Sequence, residues 1–157
     1  MNMSRSKKVR KQEKLVNAQL QFQSIELLSG SINAPHSLNP TSDYNFNINI
    51  QTQADESKAL IFSIVYVDIT NPERTFTYGS LVASCIYALG NFNEIITKDE
   101  MGRHIIPKGL ADTLNMISIS TTRGIMFSTF KGTFLHNAIM PLVNPQQIVS
   151  HSAQQQL

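Results

Sequence analysis

Residues 115–127 read NMISISTTRGIMF, and whether this stretch is a strand or the end of a helix decides the fold. Ile117, Ile119 and Thr121 alternate with Ser118, Ser120 and Thr122, which is the period of a strand with one buried face. The run that leads into it, IIPKGLADTLNM (105–116), argues for the other reading. Pro107 stands where a helix favours proline, with its missing N–H and preset φ. Leu110, Leu114 and Ile117 then fall at i, i+4 and i+7 on one helical face, and Asp112 lies in the first turns, where a helix favours negative charge. Arg123-Gly124 carries a C-terminal signature. The spacing therefore predicts a helix over 107–123, ended by Gly124, with the Ile-Ser alternation accidental. Ile, Ser and Thr are indifferent helix formers, so such a helix needs a packing partner, either a sheet or another subunit.

Working outward, the preceding chain reads as strands. LQFQSIELL (20–28) alternates at its start, and YNFNINIQTQ (44–53) puts Tyr44, Phe46, Ile48 and Ile50 opposite Asn45, Asn47, Asn49 and Gln51. Between them, SGSINAPHSLNPTSD has the Gly, Pro, Asn and Ser content of a loop. KALIFSIVYVDIT (58–70) is apolar on both faces, as a central strand is. TFTYGSLVASCIYALGNF (75–92) is a further long strand, and Gly79 inside it signals a bulge or a close approach. The short connections ADES and NPER predict four antiparallel strands in a meander. The stretch 93–104 is a polar connection with room for a short helix, 125–141 is apolar without a clear period, and the end is Gln-rich. The expected class is α+β: a four-stranded antiparallel meander, a long helix and a C-terminal helical segment. The expected division is a basic disordered tail over 1–16, one domain over 17–150 and a Gln-rich tail over 151–157.

The net charge of +2 conceals an asymmetry. Residues 1–14 hold six Lys/Arg against Glu13, and the remaining residues hold seven basic against ten acidic side chains. A basic tail without aromatic interleaving or a nucleic-acid-binding motif is expected to be a solvated extension, and nucleic acid is not the expected partner. A single cysteine, Cys85, excludes a disulfide framework and fits a reducing compartment. The N-terminus lacks the apolar core of a secretory signal, and no apolar run is long enough to span a bilayer, so the expected location is cytoplasmic.

No phosphate-binding loop, dinucleotide fingerprint, nucleophile elbow or zinc-protease motif occurs. His36, His104, His136 and His151 are scattered without metal-ligand spacing, and Cys85 in a strand is expected to be a small buried hydrophobe. The chain is therefore not expected to be an enzyme, to bind a metal or to use a cofactor. Met126, Phe127 and Phe130 read either as ordinary core or as an adaptable apolar surface able to bind many sequences, and both readings stand at this level.

Taken in order, these elements resemble the SecB family of protein-export chaperones, and its divergent SecB-like branch above all. FQSIELLSGSINAPH (22–36) is similar to the family's opening strand and following Ala-Pro, and CIYALGNF (85–92) to the end of its fourth strand. IIPKGLADTLNMISISTTRG (105–124) resembles its long helix with the Arg-Gly stop, and AIMPLVNP (138–145) a segment near its C-terminal helix. The resemblance covers about residues 20–148. It implies a homotetramer, a dimer of dimers, with long helices between dimers flanking two eight-stranded sheets. Leu110, Leu114 and Ile117 would then be intersubunit or sheet contacts. It also implies an ATP-independent holdase that keeps unfolded preproteins soluble for Sec export. Client-binding positions carry over to Phe46, Ile48 and Ile50, with Met126, Phe127 and Phe130 alongside.

Two departures stand out. The family's acidic handoff surface for the motor SecA falls at Ser29, Asn33 and Ser80, none of them acidic, and the stretch from Arg123-Gly124 to Pro141 is longer than is usual. Chaperoning of the antitoxin of a toxin–antitoxin system is a related expectation. A nucleic-acid-associated assembly role for the basic tail is the reading from a different class.

Overall fold

A computed structural model describes residues 17–36 and 43–144; the expected basic tail over 1–16 and the Gln-rich end lie outside the described residues. Four long strands form one antiparallel sheet: β1 (Leu20–Ile32), β2 (Asn45–Asp55), β3 (Leu60–Thr70) and β4 (Thr77–Leu89). A short helix α1 (Phe92–Ile95) and a small hairpin of β5 (Thr97–Lys98) and β6 (His104–Ile105) follow, and then the long helix α2 (Lys108–Thr129). The four-stranded antiparallel sheet and the long helix are as expected.

The strand order is not a meander throughout. It is β1-β4-β3-β2, so only β2, β3 and β4 follow one another as hairpins, and β1 pairs with β4 at the far edge. β1 and β2, successive in the chain, therefore stand at opposite edges of the sheet. The length of the connection between them is what permits this, since a strand returned by a long connection need not pair with its neighbour in sequence. β1 also runs four residues further than expected, to Ile32, with Ser29 to Ile32 paired against Val82 to Gly79.

The opening stretch is helical, and the helix continues past the expected stop. Arg123-Gly124 does not end it: α2 runs 22 residues to Thr129, with Pro107 at its N-cap. A glycine inside a helix costs about 1 kcal/mol relative to alanine. That cost is outweighed here because the next turns bury Met126 and Phe130, each 1% exposed, in the core. The period-two alternation is accidental, as expected, since burial here follows the helical spacing. Ser118 and Thr122 are buried beside Leu114, Asn115, Ile119 and Met126, and the Ser118 hydroxyl lies 2.8 Å from the buried Tyr87 hydroxyl on β4. Small polar side chains let the helix lie close over Ala83 and Cys85, and a satisfied buried hydrogen bond of this kind contributes roughly 1 kcal/mol.

Two apolar clusters result on the helix-covered face of the sheet. One joins Ile50, Val65, Val67, Ile69, Leu81 and Ala83 to Ile119, Met126, Phe130, Leu135, Ala138 and Met140. The other joins Ile61, Cys85, Tyr87 and Leu89 to Phe92, Ile95, Ile96 and Leu114. Gly79 fulfils both expectations. The β3–β4 register shifts beside it, and a Cβ there would lie 2.6 Å from Leu135 Cδ1 and 2.9 Å from the Ser31 carbonyl oxygen. Residues 131–144 are turns and irregular chain rather than a helical segment, and any helix beyond them falls outside the described residues.

Candidate functional site

The sheet-covering face differs at its two edges. α2 packs chiefly across β3 and β4, and on β1 its last residue reaches Gly30, where a Cβ would lie 3.8 Å from Thr129 Cγ2. β1 contains two register shifts, one between Phe22 and Ser24 and one between Leu27 and Ser29. Each inserts one extra residue and so reverses the phase of the alternation. As a result Leu20, Phe22, Ile25, Leu27 and Ile32 stand opposite Leu89, Tyr87, Cys85, Ala83 and Gly79, all on the helix side, while Ser24, Glu26, Ser29 and Ser31 face away. Phe22, Ile25, Leu27 and Ile32 are nevertheless 40–50% exposed, and the bulged Leu28 is 51% exposed. An apolar row on a free edge strand is a surface that water disfavours and that polypeptide can cover. The spacing Phe22, Ile25, Leu27 carried this signal, because a three-then-two interval of apolar residues fits a strand only through a bulge.

At the β2 edge the same face is closed. Phe46, Ile48 and Ile50 all lie on the helix side, opposite Ile69, Val67 and Val65. Of the expected client-binding residues, Ile50 is 0% exposed and Met126 and Phe130 are core, so these three present no surface on this chain. Phe46 and Ile48 are partly buried at the edge of the same cluster. Phe127 is half exposed, its ring centre 5.2 Å from that of His136. The expected interface residues are spent largely within the chain: Leu114 is fully buried, and Leu110 and Ile117 pack against the Phe92 cluster.

The opposite face of the sheet has no helix on it in the described chain. Leu60, Phe62, Ile64 and Tyr66 of β3 lie there with Val82 and Ile86 of β4, bordered by the Asn/Gln row of β2. Ser29 and Ser80 also lie on this face. The Ser80 hydroxyl donates a 2.7 Å hydrogen bond to Asp68 Oδ1, so a carboxylate lies beside Ser80 on the neighbouring strand. Asn33, by contrast, is tied to the edge, its side chain donating to the Thr77 carbonyl.

Burial raises the Cys85 thiol above its ordinary range, against hydrogen bonds from Ser118, Tyr87 and Thr121, and this opposes a nucleophilic role. Among the described residues no three His, Cys, Asp or Glu side chains come together as a metal site, and no helix is long and apolar enough to cross a membrane.

No protein-family model matches the chain, and no curated protein matches it. Solved structures do. The SecB-like chaperone Rv1957 of Mycobacterium tuberculosis, solved in complex with a ChAD peptide from the Rv1956 HigA1 antitoxin, is 11% identical. That match covers 79% of this chain and 89% of the other, with a TM-score of 0.56. A Streptococcus agalactiae protein of unknown function matches at 13% identity over 74% of this chain and 90% of its own, with a TM-score of 0.38. The first likeness is one of fold: this chain has a SecB-like sheet and helix.

Proposed function

We propose that this chain is an ATP-independent holdase that binds unfolded polypeptide, with unfolded preproteins of the Sec pathway as clients. The observation that supports it is the uncovered apolar row of β1 on a SecB-like fold. Apolar area removed from water contributes about 25 cal/mol per Å² without regard to sequence, which is what a holder of many chains requires. The working form is proposed to be a homotetramer, a dimer of dimers, in the cytoplasm, with part of the β1 row taken up by a second copy and the remainder left to the client. The test is dilution of a chemically denatured protein into buffer, with and without this chain and without nucleotide, followed by light scattering. Suppression at stoichiometric ratios is expected; unchanged aggregation overturns the reading.

A second reading is supported by the antitoxin peptide in the Mycobacterium tuberculosis neighbour: the client here is an antitoxin. Selective solubilisation of one antitoxin, with no effect on denatured preproteins, favours it. Delivery to SecA is proposed only through contacts other than Ser29, Asn33 and Ser80. Asp68, Glu26 and Asp55 are carboxylates that the register places on the outer face. A role for the basic tail in nucleic-acid binding separates cleanly, because deletion of residues 1–14 then abolishes a salt-dependent affinity and leaves holding intact.

A further inference from the structure

β3 is apolar on both faces, a pattern that belongs to strands covered on both sides. Its inner residues Ile61, Val65, Val67 and Ile69 are buried in the two clusters beneath α2. Its outer residues Leu60, Phe62, Ile64 and Tyr66 are only half-buried, and no helix lies over them among the described residues. The cover that the pattern calls for on this second face has to come from elsewhere.

The charge of the outer face narrows the choice. The four strands contain no Lys or Arg, and the register turns Glu26, Asp55 and Asp68 outward. Lys58, from the turn after β2, comes within 3.9 Å of Asp55. Among the described residues neither Glu26 nor Asp68 forms an ion pair. The matching charge lies at the start of the same chain, where residues 1–14 hold six Lys/Arg against Glu13, with Val9, Leu15 and Val16 among and after them.

The point where that segment joins the body is fixed. Asn91 donates from Nδ2 to the Asn17 carbonyl at 3.0 Å, and the Gln19 N–H donates to Asn91 Oδ1 at 2.9 Å. This places the junction at the corner of the sheet where Gln21, Ala88 and Leu60 stand side by side on the outer face. Residues 1–16 can extend roughly 50 Å from there, and the longest strands, of 13 residues, run about 43 Å. The segment is long enough to cross the whole face.

We propose that residues 1–16 return in cis over the outer face of the sheet. Their Lys and Arg side chains meet Glu26 and Asp68, and their aliphatic side chains lie over the outer row of β3. A contact made by surface charges is weak and salt-sensitive, so the segment is a displaceable cover, and any partner docking on this face competes with it.

The test is paramagnetic relaxation in the full-length protein carrying a nitroxide on Ser6→Cys; Cys85 is 0% exposed and stays unlabelled. Stronger broadening is expected at the Ile64 and Val82 methyls, which face outward, than at Val65 and Leu81, which face the helix. About half of that excess or more should vanish when salt rises from about 0.05 M to about 0.5 M, as screening shortens the reach of the charges. It should fall in the same way in Glu26→Gln with Asp68→Asn, a pair that keeps an acceptor for the Ser80 hydroxyl. Equal broadening of the two faces, or none, overturns the proposal. So does an outward excess that persists in the folded double variant, and if that variant does not fold, an excess that persists at high salt in the otherwise wild-type protein does the same. Broadening that passes from nitroxide-bearing chains to isotope-labelled chains in a mixed sample gives the face to another copy and overturns the cis contact.

Discussion

The two edges of one sheet face are built from the same kinds of residue and finished differently. At the β2 edge, Phe46, Ile48 and Ile50 are roofed by the end of α2 and by the segment carrying Leu135 and Met140. At the β1 edge, Phe22, Ile25, Leu27 and Ile32 have no such roof and remain 40–50% exposed. The chain had enough apolar sequence to close both sides and closes one. The difference teaches that apolar content does not locate a binding surface. What locates it is where the covering elements stop: α2 packs chiefly on β3 and β4 and meets β1 at Gly30, while Phe22, Ile25, Leu27 and Ile32 keep their exposure.

That contrast can be broken at its closed side first. Phe130→Ala should cost about 3–5 kcal/mol by urea unfolding, because a fully buried aromatic leaves both a lost transfer term and a cavity. Gly79→Ala should cost about 1–3 kcal/mol, since its Cβ would meet the buried Leu135 side chain and the Ser31 carbonyl oxygen, and that carbonyl belongs to paired strand backbone. The contact on β1 is the informative one, for the same substitution then loosens the boundary between the two edges.

The helix between the edges gives a smaller effect of opposite sign. A Cβ on Gly124 meets nothing within 4 Å, and the position is helical. Gly124→Ala should therefore stabilise the protein by about 0.5–1 kcal/mol. Destabilisation would mean that residue 124 ends the helix after all. Smallest of all, Asp99 is held below the usual carboxylate range first by the Arg103 main-chain N–H, with the Arg103 side chain and the Met101 N–H adding to it. A depressed native value stabilises above the unfolded carboxylate's range and is lost as pH falls through the depressed value. Protection factors around residues 99–103, taken relative to the intrinsic exchange rate at each pH, should accordingly fall on acidification in the wild-type protein and lose that pH dependence in Asp99→Asn.

Much of this fold was legible in the sequence. The Asn/Ile alternation of β2 and the two-faced apolar run of β3 reflect periodicities that tertiary context seldom overrides, and Gly79 announced its bulge. What was not legible came from long-range effects. The pairing of β1 with β4 joins strands distant in sequence, which no local pattern encodes. The passage of α2 through Arg123-Gly124 depends on Phe130 finding the core, and Arg123 serves the Met140 and Pro141 carbonyls rather than a helix stop. Burial was not legible either, because Ile50, Met126 and Phe130, which are core, and the exposed β1 residues are indistinguishable by hydrophobicity alone.

The open edge is the central claim, and native mass spectrometry of the wild-type chain and of Ile25→Ser with Leu27→Ser tests it most directly. Exposed substitutions of this kind change the stability of a lone chain by about 0.5 kcal/mol or less, so the variant should remain folded by circular dichroism. The account predicts a tetramer for the wild-type protein at micromolar concentration and smaller species for the variant. A wild-type chain that stays a monomer, or a variant that assembles as the wild type does, would contradict it.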